Sequence, residues 1–276
     1  MNDDDLRDVF LNASVRVQGQ FVDASNSALL VELDTGEGLR AVYKPVRGAR
    51  PLHDFDADTL SQREVIVYEL SARSGLHCVP LTVWREDLPF GPGSLQLFIE
   101  HDDTEAVDIV ALAGEPNVEV AGPSVEVQPV TAPEGWLVSV QGEDESGAPV
   151  ALIHRDHPTL RTIAVFDAVI NNADRKAGHL LHDSGRWWAI DNGLSLHEQH
   201  KLRTVFWGWA GDSLTVEERS WLQFLVGDVL PDVAGQLPGL TAEEWRAASD
   251  RVAKVLQVDC MPQPDPRRRS IPWPVF

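Results

Sequence analysis

Two aspartates mark the stretch of this chain best suited to chemistry. Asp174 and Asp191 each close an apolar run and open onto small, flexible residues, within the segment from Phe166 to Leu196. Between them lie His179-Leu180-Leu181-His182, the turn residues Asp183-Ser184-Gly185, and Trp187-Trp188-Ala189-Ile190, the pattern of a β-hairpin. Pairing of those two runs brings Asp174 and Asp191 to one edge. Carboxylates converging at the mouth of a pocket suit metal-assisted phosphoryl transfer: one orients the attacking oxygen, the other holds metal against phosphates. His179, in the same loop, is read either as a packed, satisfied imidazole or as a metal ligand. Imidazole would favour Mn²⁺ or another transition metal over Mg²⁺.

A cation to hold phosphates is found earlier in the chain. Lys44 ends the strand-like run Arg40-Ala-Val-Tyr-Lys44, whose alternation puts Val42 and Lys44 on one face. Glu64 shares a helical stripe with Leu60 and Val67, so its carboxylate is read either as snorkelling at the stripe's margin or as facing inward and calling for a partner. A strand lysine paired with a helix glutamate is one way to hold the α- and β-phosphates of ATP. The polar link Ser25-Asn26-Ser27 is read either as a hairpin turn or as a wrap for phosphates through N–H groups and hydroxyls. Neither GxGxxG nor GxxxxGK[ST] occurs, so a Rossmann fingerprint and a P-loop are both excluded.

The elements that must position these residues fall into three regions. Residues 1–100 read as a strand-rich lobe. Its strands are Val15–Val22, Ala28–Leu33, Arg40–Lys44, Val79–Trp84 and Leu95–Ile99, with a helix over Ala57–Ser74 that stops at Gly75. Residues 101–157 read as an acidic insert and connection, partly ordered rather than core. His101 to Val150 holds no Lys or Arg, and prolines are spread through it. Residues 158–276 read as a helical lobe that begins with the buried helix Leu160–Ile170 and carries the carboxylate hairpin. Thr215 with Glu218 and Thr241 with Glu244 have capping-box spacing and start two further helices.

Composition bounds the partners. The net charge of −20 over 276 residues disfavours nucleic acid and anionic membrane surfaces. It leaves open a basic or neutral substrate, or a basic peptide or protein attracted by the acidic insert. No apolar run approaches a membrane span, and the acidic Met1-Asn-Asp-Asp-Asp start lacks the basic region of a signal peptide. Two distant cysteines, Cys78 and Cys260, point to a reducing compartment, and a cytoplasmic location is expected. The cluster Arg267-Arg268-Arg269 is read as a small solvated patch or as part of a tail folding back over the body.

Four blocks carry a family resemblance. They are Val42-Tyr43-Lys44-Pro45, Arg63-Glu64-Val-Ile-Val-Tyr68, Asp167-Ala-Val-Ile-Asn-Asn-Ala-Asp174-Arg175 and Ala189-Ile190-Asp191-Asn192-Gly193-Leu194. In this order they resemble type II phosphatidylinositol 4-kinases and HipA-type kinases, and Phe206-Trp207-Gly208-Trp209 adds to the likeness. The chain resembles most an actinobacterial family described as phosphatidylinositol 3-/4-kinase-related, over nearly its whole length.

The resemblance implies an α+β, bilobal protein-kinase-like fold using ATP with Mg²⁺ or Mn²⁺. It implies that Lys44 binds phosphates, that Glu64 braces it, and that Gln96-Leu97-Phe98-Ile99 form the hinge against adenine. Asp174 would be the catalytic base or the group that orients the nucleophile, and Asp191 the metal ligand. The asparagine such kinases place five residues after the catalytic aspartate is His179 here. The expected function is therefore an ATP-dependent phosphotransferase acting on a soluble small molecule or a protein hydroxyl. A nucleotide-binding module without catalysis and an AMP transferase stand as alternatives.

Overall fold

The computed structural model describes residues 2–21, 28–36, 38–47, 52, 54–112 and 132–276. It opens with a helix that the strand-rich reading of the first region lacks, α1 (Asp3–Asn12). Asn2 caps it by accepting the Asp5 N–H at 2.8 Å, and Asp3, Asp4 and Asp5 sit where the helix dipole favours carboxylates. An acidic terminus is thus a helix start. Its Phe10 is fully buried against the sheet that follows.

That sheet contains β1 (Val15–Gln20), β2 (Leu29–Leu33), β3 (Arg40–Pro45), β4 (Thr82–Arg85) and β5 (Gly93–Leu97), in the antiparallel order β1-β2-β3-β5-β4. Ala41 and Tyr43 of β3 are fully buried in the cluster with Phe10, Val31, Leu33 and Leu95. The period of two therefore sends Val42 and Lys44 to the other face. Helix α2 (Leu60–Arg73) packs on β4 and β5, and Gly75 beyond it takes a φ of 79°.

The flanks of the expected acidic insert form a three-stranded antiparallel sheet: β6 (Val107–Ala111), β7 (Trp136–Glu143) and β8 (Pro149–Arg155), ordered β6-β8-β7. This sheet is not peripheral. Val107 and Leu152 belong to the large core, and His154 is fully buried. Ala151, Leu152, Ile153 and His154 are all buried, so β8 is covered on both faces despite the shortage of basic residues around it.

The second lobe begins with α3 (Pro158–Ile170), whose Leu160, Ile163, Phe166 and Ile170 are inaccessible to solvent. It continues through β9 (Leu180–Asp183), β10 (Arg186–Ala189), α4 (Val216–Phe224), α5 (Leu230–Gln236) and α6 (Ala242–Val258). Both expected capping boxes form, at Thr215 with Glu218 and at Thr241 with Glu244. A π-helical turn, Leu225–Val229, joins α4 to α5. No helix among the described residues is long and apolar enough to cross a membrane. A strand-rich lobe and a mostly helical lobe thus meet along α2 and the loops around Asp174 and Asp191.

Candidate active site

Lys44 reaches from β3 towards α2 and the loop after β10. Its Nζ donates to the Glu64 carboxylate and, at 2.8 Å, to Asp191 Oδ1. Glu64 is 2% exposed, and its other oxygen accepts the Asn192 backbone N–H at 2.9 Å. Burial alone would depress the Lys44 ammonium, but Asp191 and Glu64 outweigh it and hold its pKa above the usual value. Burial would likewise raise the Asp191 carboxyl; Lys44 and His179 reverse this and hold it well below the usual carboxylate range. A Cβ at Gly193 would lie 3.2 Å from the Leu60 carbonyl oxygen, so the Asp191 loop passes close against α2.

The hairpin brings in His179. β9 and β10 pair Asp183 with Arg186, and Ser184 and Gly185 turn the chain with φ of 50° and 82°, the signature of a primed two-residue turn. Ile190 N–H then donates to the His179 carbonyl at 3.0 Å, so the residues flanking the hairpin lie side by side. His179 Nε2 is 3.3 Å from Asp191 Oδ2, while its Nδ1 is buried without a hydrogen-bond partner. Burial outweighs the pull of Asp191 and lowers the imidazole to about 4, so it is neutral at pH 7.

Asp174 sits in the turn after α3. Asn171 ends that helix in the left-handed region, with φ 56°, and the Asp174 N–H donates to Asn172 Oδ1 at 2.9 Å. Two backbone bonds clamp the turn to the loop carrying Asp191: Ala173 N–H to Leu194 O at 2.8 Å and Leu196 N–H to Ile170 O at 2.6 Å. The Asp174 carboxylate lies 3.3 Å from Lys176 Nζ. Burial raises its pKa against the opposing pull of Lys176, and the like charge of Asp191 adds to the rise. A carboxylate shifted this way is a better proton acceptor than an exposed aspartate.

Sequence reasoning assigned no role to the pair that joins these loops. Asp167 and Arg175 are both fully buried, and Arg175 Nε lies 2.9 Å from Asp167 Oδ2. The same guanidinium donates to Ile190 O at 2.7 Å and to Asn192 Oδ1 at 2.6 Å. It holds the Asp174 turn and the Asp191 loop at a fixed separation. The available signal was an aspartate inside an otherwise apolar helix, which has to find a cation.

The hinge residues stand apart from this cluster. Leu97 pairs with Ala41, three residues along β3 from Lys44, roughly 10 Å away at strand spacing. Gln96 is buried and donates to Thr82 Oγ1 at 2.8 Å. Leu97 and Phe98 N–H bond to the carbonyls of Leu81 and Arg40, and Ile99 is buried. Ser25, Asn26 and Ser27 lie outside the described residues.

Among the described residues no three His, Cys, Asp or Glu side chains gather as a metal cluster. Asp191 and a neutral His179 nevertheless form a donor set of one carboxylate and one imidazole. That pair would suit a divalent transition ion such as Mn²⁺ better than Mg²⁺. Asn192 and Asn172 are committed elsewhere, the first to Arg175 and Ala189 O, the second to Asp174 N–H and Asp167.

No family model matches the chain. It is 39% identical to Protein Rv2133c of Mycobacterium tuberculosis over 99% of this chain and 96% of that protein. Among solved structures, the Golgi casein kinase superimposes with a TM-score of 0.53 at 11% identity, covering 94% of this chain and 75% of that one. A structure of that kinase with Mn/ADP bound gives 0.48 at 12% identity, covering 92% and 74%. The proinflammatory kinase CtkA of Helicobacter pylori gives 0.46 at 9%, covering 91% and 94%. The fold is a bilobal kinase-like fold. With 39% identity over nearly both whole chains, this chain and Rv2133c belong to one family.

Proposed function

We propose that this member of the Rv2133c family is an ATP-dependent phosphotransferase acting on a hydroxyl of a soluble small molecule or a protein. One observation carries the reading: Lys44 is shared between buried Glu64 and Asp191, so that a strand, a helix and the loop after the hairpin supply one charged cluster. On this reading residues 1–100 and 158–276 are the two lobes, and residues 101–157 connect them. The triphosphate takes the place of Asp191 on the Lys44 ammonium, while Glu64 keeps that ammonium aimed. Ser25, Asn26 and Ser27 would close on the phosphates, and the base would lie along Gln96, Leu97, Phe98 and Ile99.

Asp174 is the group for the acceptor. Its carboxylate takes the hydroxyl proton as the acceptor oxygen bonds to the γ-phosphorus. The bond from that phosphorus to the β,γ-bridging oxygen breaks, giving ADP, the phosphorylated acceptor and a proton left on Asp174. Arg175 does not touch the reacting atoms and is a positioning residue. Asp191 with His179 would hold Mg²⁺ or Mn²⁺, which would supply charge neutralisation at the phosphate oxygens.

A lipid acceptor of the phosphatidylinositol type is disfavoured by the net charge of −20, which opposes an anionic bilayer. Two free cysteines, one of them buried, suit a cytoplasmic location. A second reading, nucleotide binding without transfer, draws on His179, which stands where related kinases place a metal-binding amide. Turnover of ATP with Mg²⁺ and with Mn²⁺, followed by mass spectrometry of the acceptor, decides among these. A phosphoryl increment supports the proposal, and an adenylyl increment replaces it with AMP transfer. Binding without either product leaves the non-catalytic module.

A further inference from the structure

A cavity of about 290 Å³ opens beside the Asp174 turn, between the segment 200–203 and the C-terminal segment 265–270. Four cationic side chains line it (Lys201, Arg203, Arg268 and Arg269), against one carboxylate, Asp265. In a chain of net charge −20 this is a local reversal of sign. Lys201 is neutralised by Asp54 at 2.6 Å, and Asp265 is taken by Arg267 at 3.2 Å and Arg268 at 3.8 Å. Arg203 and Arg269 have no carboxylate partner among the described residues. Partial burial and the nearby Arg268, Arg251 and Lys254 press His200 below the usual imidazole range.

The cavity is built onto the candidate catalytic turn. Arg203 N–H donates to Asn172 O at 2.9 Å, and Arg175 N–H to Arg203 O at 3.0 Å. The Arg203 guanidinium lies 3.5 Å from the Ala173 carbonyl, next to Asp174, and its field reaches the Asp174 carboxylate. The C-terminal segment is fastened across the opening: Thr204 N–H and Trp207 Nε1 both donate to Ser270 O, at 3.1 and 2.9 Å. Ala177 N–H donates to Val275 O at 2.9 Å. The tail therefore folds back over the body and carries Arg268 and Arg269 to the cavity that Arg203 lines.

We propose that this cavity binds a phosphate group already present on the acceptor, so that the acceptor is a soluble, phosphorylated small molecule. The inference rests on the reading of Asp174 as the proton acceptor for transfer. Arginine forks match the oxygens of a phosphate, and two of these guanidiniums lack a carboxylate partner. A basic peptide, which the overall charge alone would attract, meets repulsion at this point.

The test is titration of inorganic phosphate into the full chain at low salt, with and without a non-hydrolysable ATP analogue. Phosphate binding is expected to persist when the analogue is bound. It should weaken about tenfold in Arg203→Gln and in Arg269→Gln, and stay unchanged in Arg16→Gln, a surface control on β1. Arg269 is exposed, so its replacement leaves the fold intact and keeps the comparison meaningful. Displacement of phosphate by the analogue, or indifference to Arg203 and Arg269, overturns the inference. Arginine-dependent sedimentation with vesicles of phosphatidylcholine and phosphatidylinositol, or preferred transfer to a Lys-rich peptide, overturns the soluble acceptor. The analogue's own binding reports separately on the nucleotide reading, so either can fail while the other stands.

Discussion

Lys44 and Asp191, 147 positions apart in the chain, meet at 2.8 Å between Nζ and Oδ1. The contact fixes the strand lobe to the loop that follows the hairpin. It also means that a triphosphate entering the cleft has to compete for an ammonium already engaged on two sides.

Replacing Lys44 by Met should therefore act on both binding and stability. Nucleotide affinity, measured by titration calorimetry, is expected to fall at least tenfold, because a charge-assisted phosphate contact is lost. Glu64 would keep only the Asn192 N–H as a partner while buried. Chemical denaturation is therefore expected to show a loss of about 3 kcal/mol.

Asp174→Ala separates binding from chemistry. Turnover should drop by roughly two to four orders of magnitude, the usual worth of a positioned base. Nucleotide affinity should stay near the parental value, since Asp174 contacts neither Lys44 nor Glu64. Equal loss of both would show that Asp174 shapes the pocket rather than accepts the proton.

The buried Asp167–Arg175 pair predicts a non-additive result. Asp167→Leu or Arg175→Met alone leaves an uncompensated buried charge and should cost about 3–5 kcal/mol. The double variant should recover much of that stability on urea denaturation. Activity should not return, because the bonds from Arg175 to Ile190 O and Asn192 Oδ1 hold the two aspartate loops in register.

A pH response is expected from His154, which is fully buried beneath the turn carrying Gly208. Its Nε2 accepts the Gly208 N–H at 3.0 Å and its Nδ1 lies 3.0 Å from Arg155 O, so only the neutral ring satisfies both partners. Burial lowers its pKa from 6.5 to about 4. The depressed value means that stability is intact above pH 6.5 and declines as pH falls towards 4, where the unfolded chain gains the proton first. The decline should reach ~3 kcal/mol, and the slope of stability against pH should flatten in His154→Gln. Gly208→Ala tests the same contact: its methyl would collide with His154 and lie 2.6 Å from Leu137 Cβ, so a lower melting temperature is expected.

Much of this was legible in the residues. Alternation in 40–44 placed Lys44 opposite the core side chains, and the stripe Leu60, Glu64, Val67 placed Glu64 inward; the structure joins the two. The hairpin was readable because Ser184-Gly185 can turn with positive φ at the right spacing. Other features were hidden for physical reasons. The helix at Asp3–Asn12 starts with acidic residues that suit its dipole but resemble a disordered terminus. The strand Pro149–Arg155 is buried on both faces over residues 151–154, so it lacks the alternation that marks a half-buried strand. The basic cavity depends on Arg203 and Arg269 converging from segments over sixty residues apart, which no local pattern encodes.

Arg63 and Glu64 are neighbours on α2 that grip different targets. Arg63 donates to Ser195 O at 2.8 Å and to Glu244 of α6 at 2.6 Å, while Glu64 takes Lys44 and the Asn192 N–H. A helix bolted at consecutive positions to both halves of the molecule has little travel. An off state made by swinging α2 outward would have to break four bonds together, two of them to buried charges. On the proposed reading, control is then more economically placed at access to the cleft than at the helix.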